Sequence, residues 1–357
     1  VTPNHTIRGN AIVLKISKAA LIAAVLSLSS VPAVGLLSAV AQDATTTSSS
    51  GFTSQLSIPT VVAIDSSMDE VALRDALSGG FMKHVDEIAK LSATSITIPQ
   101  ITLSMTVNSG DAPVVSTMTY KDIVLTNVKD GVAASASVGS AETSSAEGSF
   151  KFGKMSTSTL DFGGILALYS LVPSGGPDQP MKTLYKDFSF EGGTLTGPKV
   201  NCTFGKVTAA EFDARPLKVS FAELMEAAQK MGADKNNPPP ESVATFVGFM
   251  TDVFQAFKST PLNMDGLDCS GTGEDNKPFQ LKIGGLTMDG YQPGIYPAIT
   301  VKDVKIGGGG EDAISLASAT FKATDLSGPI KAVEAQCKDI SPAWVEANYS
   351  KRIPAFG

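Results

Sequence analysis

Two short phrases return in the same order along this chain, and their patterning favours strand over helix. Tyr120-Lys121-Asp122-Ile123-Val124-Leu125 comes back as Tyr185-Lys186-Asp187-Phe188-Ser189-Phe190, and more weakly as Val301-Lys302-Asp303-Val304-Lys305-Ile306. Phe152-Gly153-Lys154-Met155-Ser156, ending in Leu160-Asp161, comes back as Phe204-Gly205-Lys206-Val207-Thr208, ending in Phe212-Asp213. A fainter third copy is Phe321-Lys322-Ala323-Thr324-Asp325. Mixed polar and apolar residues at this spacing suit a strand buried on one face, because strand side chains point alternately to opposite sides. Self-similarity kept in order along a chain marks repeated units.

Neighbouring stretches read the same way. Residues 95–98 and 101–107 are β-branched and alternating, and Asn108-Ser109-Gly110-Asp111 follows as a turn. Gly192-Gly193, Gly284-Gly285, Asp289-Gly290 and the four glycines from Gly307 to Gly310 punctuate later strands. No G-x-x-x-x-G-K-[ST] accompanies those four glycines, so they read as a hairpin loop and not as a phosphate cradle.

Helices are fewer. Ser67-Met68-Asp69-Glu70 has the form of a capping box and predicts a helix over 68–77, broken at Gly79-Gly80 before a second over 81–91. Residues 217–231 are amphipathic, and Pro238-Pro239-Pro240 launches a further helix over 241–258. Short helices are expected at 329–337 and 342–349, the latter with Ser341 as its N-cap and Pro342 at its first position. The expected fold is α+β: antiparallel β-rich repeat modules, each closed by one or two helices, behind an N-terminal signal peptide. Residues 67–172, 173–260 and 261–357 are the three modules, and 42–66 is a Ser/Thr-rich linker and lead-in.

The N-terminal segment carries an address. Arg8, Lys15 and Lys18 precede an acid-free apolar run over 19–31, Pro32 interrupts it, and Ala39-Val40-Ala41 supplies the small-residue site. Charge, then hydrophobicity, then A-x-A is the order read by the export machinery, so cleavage is expected between Ala41 and Gln42. Ser27, Ser29, Ser30, Pro32 and Gly35 weaken the rival reading of a retained anchor. A chain opening on Val in place of Met reads as a non-standard start codon and a bacterial source. The protein is thus expected to be periplasmic or extracellular.

Cleavage removes three basic residues and no acidic one, leaving the mature chain more acidic than the −7 of the whole. An acidic surface without a basic run repels nucleic acid and anionic lipid, so neither is an expected partner. Of the three cysteines, Cys202, Cys269 and Cys337, an odd count leaves at least one unpaired. Cys202 with Cys269 is the preferred disulfide, although sequence alone does not fix connectivity.

Chemistry is sparse. His84 is the one histidine left after cleavage, at the edge of an apolar helical stripe, and a single His builds no multi-His zinc site. The G-x-S-x-G and S-x-x-K signatures are missing, whereas paired carboxylates follow no local spacing rule and stay open. Asp265, Asp268, Glu274 and Asp275 cluster among glycines, but not at calcium-loop spacing. No metal, cofactor or catalytic residue is therefore assigned.

The heaviest apolar load falls on 241–258, where Phe246, Phe249, Met250, Phe254 and Phe257 form a broad stripe with Val243, Val247 and Val253. Such a stripe is core or, on a sharper reading, the wall of a groove for a lipid or other apolar ligand. The functional expectation is an exported, non-enzymatic binding or scaffold protein whose partner is an apolar ligand or an envelope protein. A lipid carrier and a carboxylate-dependent enzyme are the alternatives.

Overall fold

The computed structural model describes residues 52–108, 113–146, 148–233, 238–273, 276–308 and 314–337. Among them the chain is mostly antiparallel sheet with six helices, a strand-rich α+β fold. The predicted signal peptide, its Ala41–Gln42 cleavage site, the turn at 109–111 and the helix at 342–349 lie outside these residues.

Nineteen strands join one sheet, and the path is a meander. β1 (Phe52–Ser57) and β2 (Val62–Ile64) both pair along β3 (Ala93–Asn108), which is followed by β4 (Pro113–Lys129) and β5 (Val132–Ser145). Beside β5 run β6 (Gly148–Phe152), β7 (Met155–Thr157) and β8 (Thr159–Asp161), then β9 (Lys182–Phe190) and β10 (Gly193–Thr196). β11 (Val200–Phe204) and β12 (Val207–Ala214) follow, then β13 (Phe257–Ser259), β14 (Leu262–Met264) and β15 (Leu267–Thr272). β16 (Pro278–Ile283), β17 (Gly285–Met288), β19 (Ile299–Gly307) and β20 (Ile314–Phe321) complete the sheet. β18 (Ile295–Tyr296) and β21 (Thr324–Asp325) pair separately.

Strand direction alternates in a meander, so successive connections fall at opposite ends. One end receives α1 (Glu70–Leu77) and α2 (Phe81–Ala89) between β2 and β3, α3 (Phe162–Leu168) between β8 and β9, and α4 (Phe221–Ala233) with α5 (Pro240–Ala256) between β12 and β13. α6 (Ser327–Cys337) follows β21. These helices pack on the half of the sheet nearest them. Leu73 and Ala76 of α1 meet Ile96, Ile98, Val128 and Ala133, while Ile165, Leu168 and Ala256 meet Leu184 and Ala214.

Several helix ends differ from the sequence expectation for local reasons. α1 is capped by Asp69, which accepts from the Ala72 amide, whereas Ser67 Oγ is taken by the Ser92 amide across the loop. A reciprocal capping box does form at α4, where Ser220 and Glu223 exchange hydrogen bonds and shorten the helix predicted from 217. α3, too short to show a period, is anchored by Asp161, which accepts from the Gly164 amide.

Across the middle of the sheet runs a crease. Gly153-Lys154, Glu191-Gly192, Gly205-Lys206, Asp265-Gly266 and Gly284 separate consecutive strands along one row, and Gly153, Gly205 and Gly284 donate to the carbonyls of Gly192, Gly266 and Lys302 across it. In β4, β5 and β19 the same row holds Asp122, Gly139 and Asp303. Asp122 and Asp303 adopt φ of 54° and 52°, a left-handed conformation that a short polar side chain tolerates better than a branched one. Each faces a glycine, because a Cβ at Gly139 or Gly284 would stand 2.8 Å from the aspartate Cβ. Gly192 has φ of 89° and no room for a side chain, since a Cβ there would meet the Phe204 carbonyl oxygen at 2.4 Å.

The crease shifts the alternation by one residue in every strand. Apolar residues stand three apart across it, as at Tyr120/Ile123, Phe152/Met155, Phe204/Val207 and Met264/Leu267. Side chains from both sides nevertheless meet in one cluster, with Ala141, Met155, Phe190 and Val207 buried and Tyr120, Phe152 and Met264 packed on them. The Phe-Gly-Lys phrases at 152–154 and 204–206 therefore mark the same row, whereas Phe321 closes β20 beyond it. Asp187, also left-handed at φ 51°, faces Ser158 on a different row.

Candidate functional site

Beyond the crease, on the side away from the helices, the sheet presents one apolar and one polar face. Read from partner to partner, the register runs from Leu56 to Leu103, Met118, Thr143, Phe150, Leu195 and Cys202. It continues through Cys269, Leu281 and Ile306 to Ile314. The row one residue along points to the other face and reads Thr102, Thr119, Glu142, Lys151, Thr194 and Thr203, then Asp268, Lys282, Lys305 and Ser315. Lys151 pairs with Glu142 at 3.4 Å and Lys282 with Asp268 at 3.6 Å on that polar side.

Strands lie about 4.8 Å apart, so the apolar row extends on the order of 45 Å along the sheet. A second row beside it, with Ile101, Tyr120, Phe152, Phe204, Leu267 and Ile283, widens it towards the crease. Phe150 stacks on Phe152 with ring centres 5.9 Å apart, and Phe152 meets Phe190 at 5.8 Å. Phe150, Leu195, Cys202, Cys269, Leu281 and Ile306 belong to none of the core clusters that hold helical side chains. The face is thus built from strands alone and opens progressively to water towards Ile306 and Ile314. Cys202 and Cys269 face each other across β11 and β15 and form a disulfide in the middle of the row.

The Phe-rich segment divides. Phe249 and Val253 of α5 pack into the core with Ile165, Leu168 and Leu184, while Phe246 and Met250 stand 43 % and 41 % exposed. Phe254 lies half-buried, and its carbonyl accepts from the Gly294 amide. Phe257, expected on the helix, belongs instead to β13, because Ala214 pairs with it as α5 ends at Ala256. There it meets Phe212 at 5.3 Å, and Phe212 stacks on Tyr185 at 5.1 Å. Burial pushes the Tyr185 phenol up to about 12.

A polar node that composition did not reveal holds α5 in place. Asp252 is 1 % exposed, yet Arg215 grips it with Nη2 at 2.6 Å and Nη1 at 3.3 Å, and the Lys218 amide donates to it at 2.8 Å. Lys218 Nζ reaches Glu334 of α6 at 3.2 Å, and Gln255 donates to the same carboxylate at 3.1 Å. The available signal was a lone acid inside the apolar stripe of α5, which burial obliges to find a cation. Asp213 Oδ1 and Ser242 Oγ are buried without a partner among the described residues.

His84 bridges two carboxylates, with Nδ1 2.7 Å from Glu87 and Nε2 3.1 Å from Asp75. The Glu87 hydrogen bond raises its pKa, desolvation opposes it, and Asp75 adds to the rise. A raised folded pKa contributes stability fully present below the unfolded value of about 6.5 and lost as pH climbs through the folded value. His84→Ala is therefore expected to lower the urea midpoint relative to wild type at about pH 5.5 and to leave little difference at about pH 9. A pH-independent gap between the two proteins would assign His84 to packing alone.

Of the acidic loop, Asp265 sits in the crease and Asp268 on the polar face, while Glu274 and Asp275 lie outside the described residues. Among the described residues no group of three or more His, Cys, Asp or Glu side chains is gathered as a metal site. No family model, curated protein or solved structure matches the chain.

Proposed function

We propose that this chain is an exported, non-enzymatic binding protein of the cell envelope, and that it holds a long apolar ligand, of the acyl-chain class, on the creased sheet. The observation that carries this reading is the apolar row from Leu56 to Ile314, which is backed by a wholly polar row and whose members Phe150, Leu195, Cys202, Cys269, Leu281 and Ile306 join none of the core clusters that hold helical side chains. An apolar stripe along one face of a sheet, buried at Leu103, Cys202 and Cys269 and exposed at Ile306 and Ile314, supports the reading of a contact surface. Export follows from the charged start, apolar run and Ala39-Val40-Ala41 of the sequence. Three modules over 67–172, 173–260 and 261–357, each closing its strands with helices at one end, would leave the other end of the sheet free for the ligand. Among the described residues Asp252 is the most deeply buried carboxylate, and its bonds to Arg215 and the Lys218 amide suit it to holding α5.

The test is solvent extraction and mass spectrometry of the protein purified from the envelope fraction, with titration of a fluorescent fatty acid alongside. Co-purified acyl lipid is expected. Burying one large apolar side chain is worth about 1.5–3 kcal/mol, so Phe150→Asp with Leu281→Asp should weaken probe binding by about tenfold or more. Phe246→Ser on α5 should leave it unchanged. No bound lipid together with unaltered titration of the Phe150/Leu281 variant would refute the proposal, and loss on Phe246→Ser alone would move the site to α5.

A further inference from the structure

We infer that β20 is a dimerisation edge, at which two copies of this chain join by antiparallel pairing of their β20 strands about a twofold axis perpendicular to the sheet. This inference is independent of the ligand proposal. β20 pairs with β19 from Ile299↔Phe321 to Ile306↔Ile314, and among the described strands it has no partner on its other side. Its outward backbone N–H and C=O groups form a row with which another extended strand can pair along its length. Sheet edges are ordinarily blunted with charge, proline or a covering element. β20 reads Ile-Ser-Leu-Ala-Ser-Ala-Thr-Phe, without charge or proline, and Ile314 and Phe321 are 67 % and 68 % exposed.

A second copy fits this edge better than a strand of other origin for two reasons. A perpendicular twofold makes self-pairing antiparallel, the more stable ladder, and keeps the apolar faces of both sheets on one side. Symmetric pairing closes on itself, whereas joining β20 to the opposite edge β1 would grow an open fibre. One pair of edge strands is a small contact, which places the association in the micromolar range.

Sedimentation velocity on the full chain through the micromolar range tests the inference. Wild type should pass from monomer to dimer, and Leu316→Lys with Ser318→Lys should stay monomeric with an unchanged circular dichroism spectrum. Should that variant fail to fold, Ser318→Cys in a Cys337→Ser background replaces it, and covalent dimers are expected on mild oxidation. Monomeric wild type throughout, a lysine variant that still dimerises, a dimer lost only on Leu56→Lys in β1, growth beyond the dimer, or no covalent dimer through Cys at position 318 would each overturn it.

Discussion

Arg215→Ala is expected to lower the unfolding free energy by about 3–5 kcal/mol, because it leaves a buried carboxylate without its main counter-charge. Asp252 is 1 % exposed and keeps only the Lys218 amide and the Lys218 ammonium at 3.7 Å once the guanidinium is gone. Without the bidentate pair the desolvation cost of the ion is offset only in part. Replacing both partners at once separates this cost from the worth of the pair: Arg215→Met with Asp252→Leu should recover most of the loss. Urea unfolding of the single and double variants checks both statements. A single-variant loss below about 1 kcal/mol would mean that Lys218 alone satisfies Asp252.

The same node has a mechanical role, since Arg215 follows β12, Asp252 belongs to α5, and Lys218 and Gln255 converge on Glu334 of α6. Helices added at one end of a meander have no ladder to fix them. Apolar packing of Phe249 and Val253 holds α5 against the sheet without setting its rotation as sharply as a two-pronged salt bridge does. That division fits a helix whose three phenylalanines are only partly spent on the core, Phe249 being packed there and Phe246 exposed.

Strand content and the antiparallel character were legible from alternation within the phrases, because a two-residue period survives in any strand with one buried face. The crease is not, although its residues fall within the repeated phrases. Phe152-Gly153-Lys154 and Phe204-Gly205-Lys206 stood out as repeated words, but their meaning lies in pairing with Gly192 and Gly266 in other strands, which no single strand encodes. The apolar row has the same character. Leu195, Cys202, Cys269 and Leu281 are unremarkable one by one, and only the register sets them side by side. By contrast, the Phe-rich helix concentrates its signal in one segment, so composition drew the candidate ligand wall there, and Phe257 with it. Strand pairing competes with helix propensity at Phe257-Lys258-Ser259 and wins, since three ladder partners at 212–214 await that segment.

Cys202→Ala with Cys269→Ala is expected to cost about 4 kcal/mol of unfolding free energy, the chain-entropy value for a crosslink spanning this separation of 67 residues. Alanine keeps the apolar row apolar, whereas serine would add two hydroxyls to it and confound the measurement. The crosslinked loop contains β12, α4, α5, β13 and β14, so the bond restrains in the unfolded chain the longest excursion the meander makes between neighbouring strands. Closure of so long a loop is otherwise slow and entropically unfavourable. Native geometry should change little, since β11 and β15 pair from Val200↔Gly271 to Phe204↔Leu267 on both sides of the sulfurs. Wild type unfolded in reductant should therefore match the double-alanine variant in both midpoint and cooperativity. If reductant destabilised wild type while the variant kept full stability, the cost would lie in buried thiols and not in chain entropy. A loss of this size against a typical total of about 5–15 kcal/mol would make oxidation part of what the fold requires. Such a requirement would be met in an oxidising compartment, which is where the proposed export would place the chain.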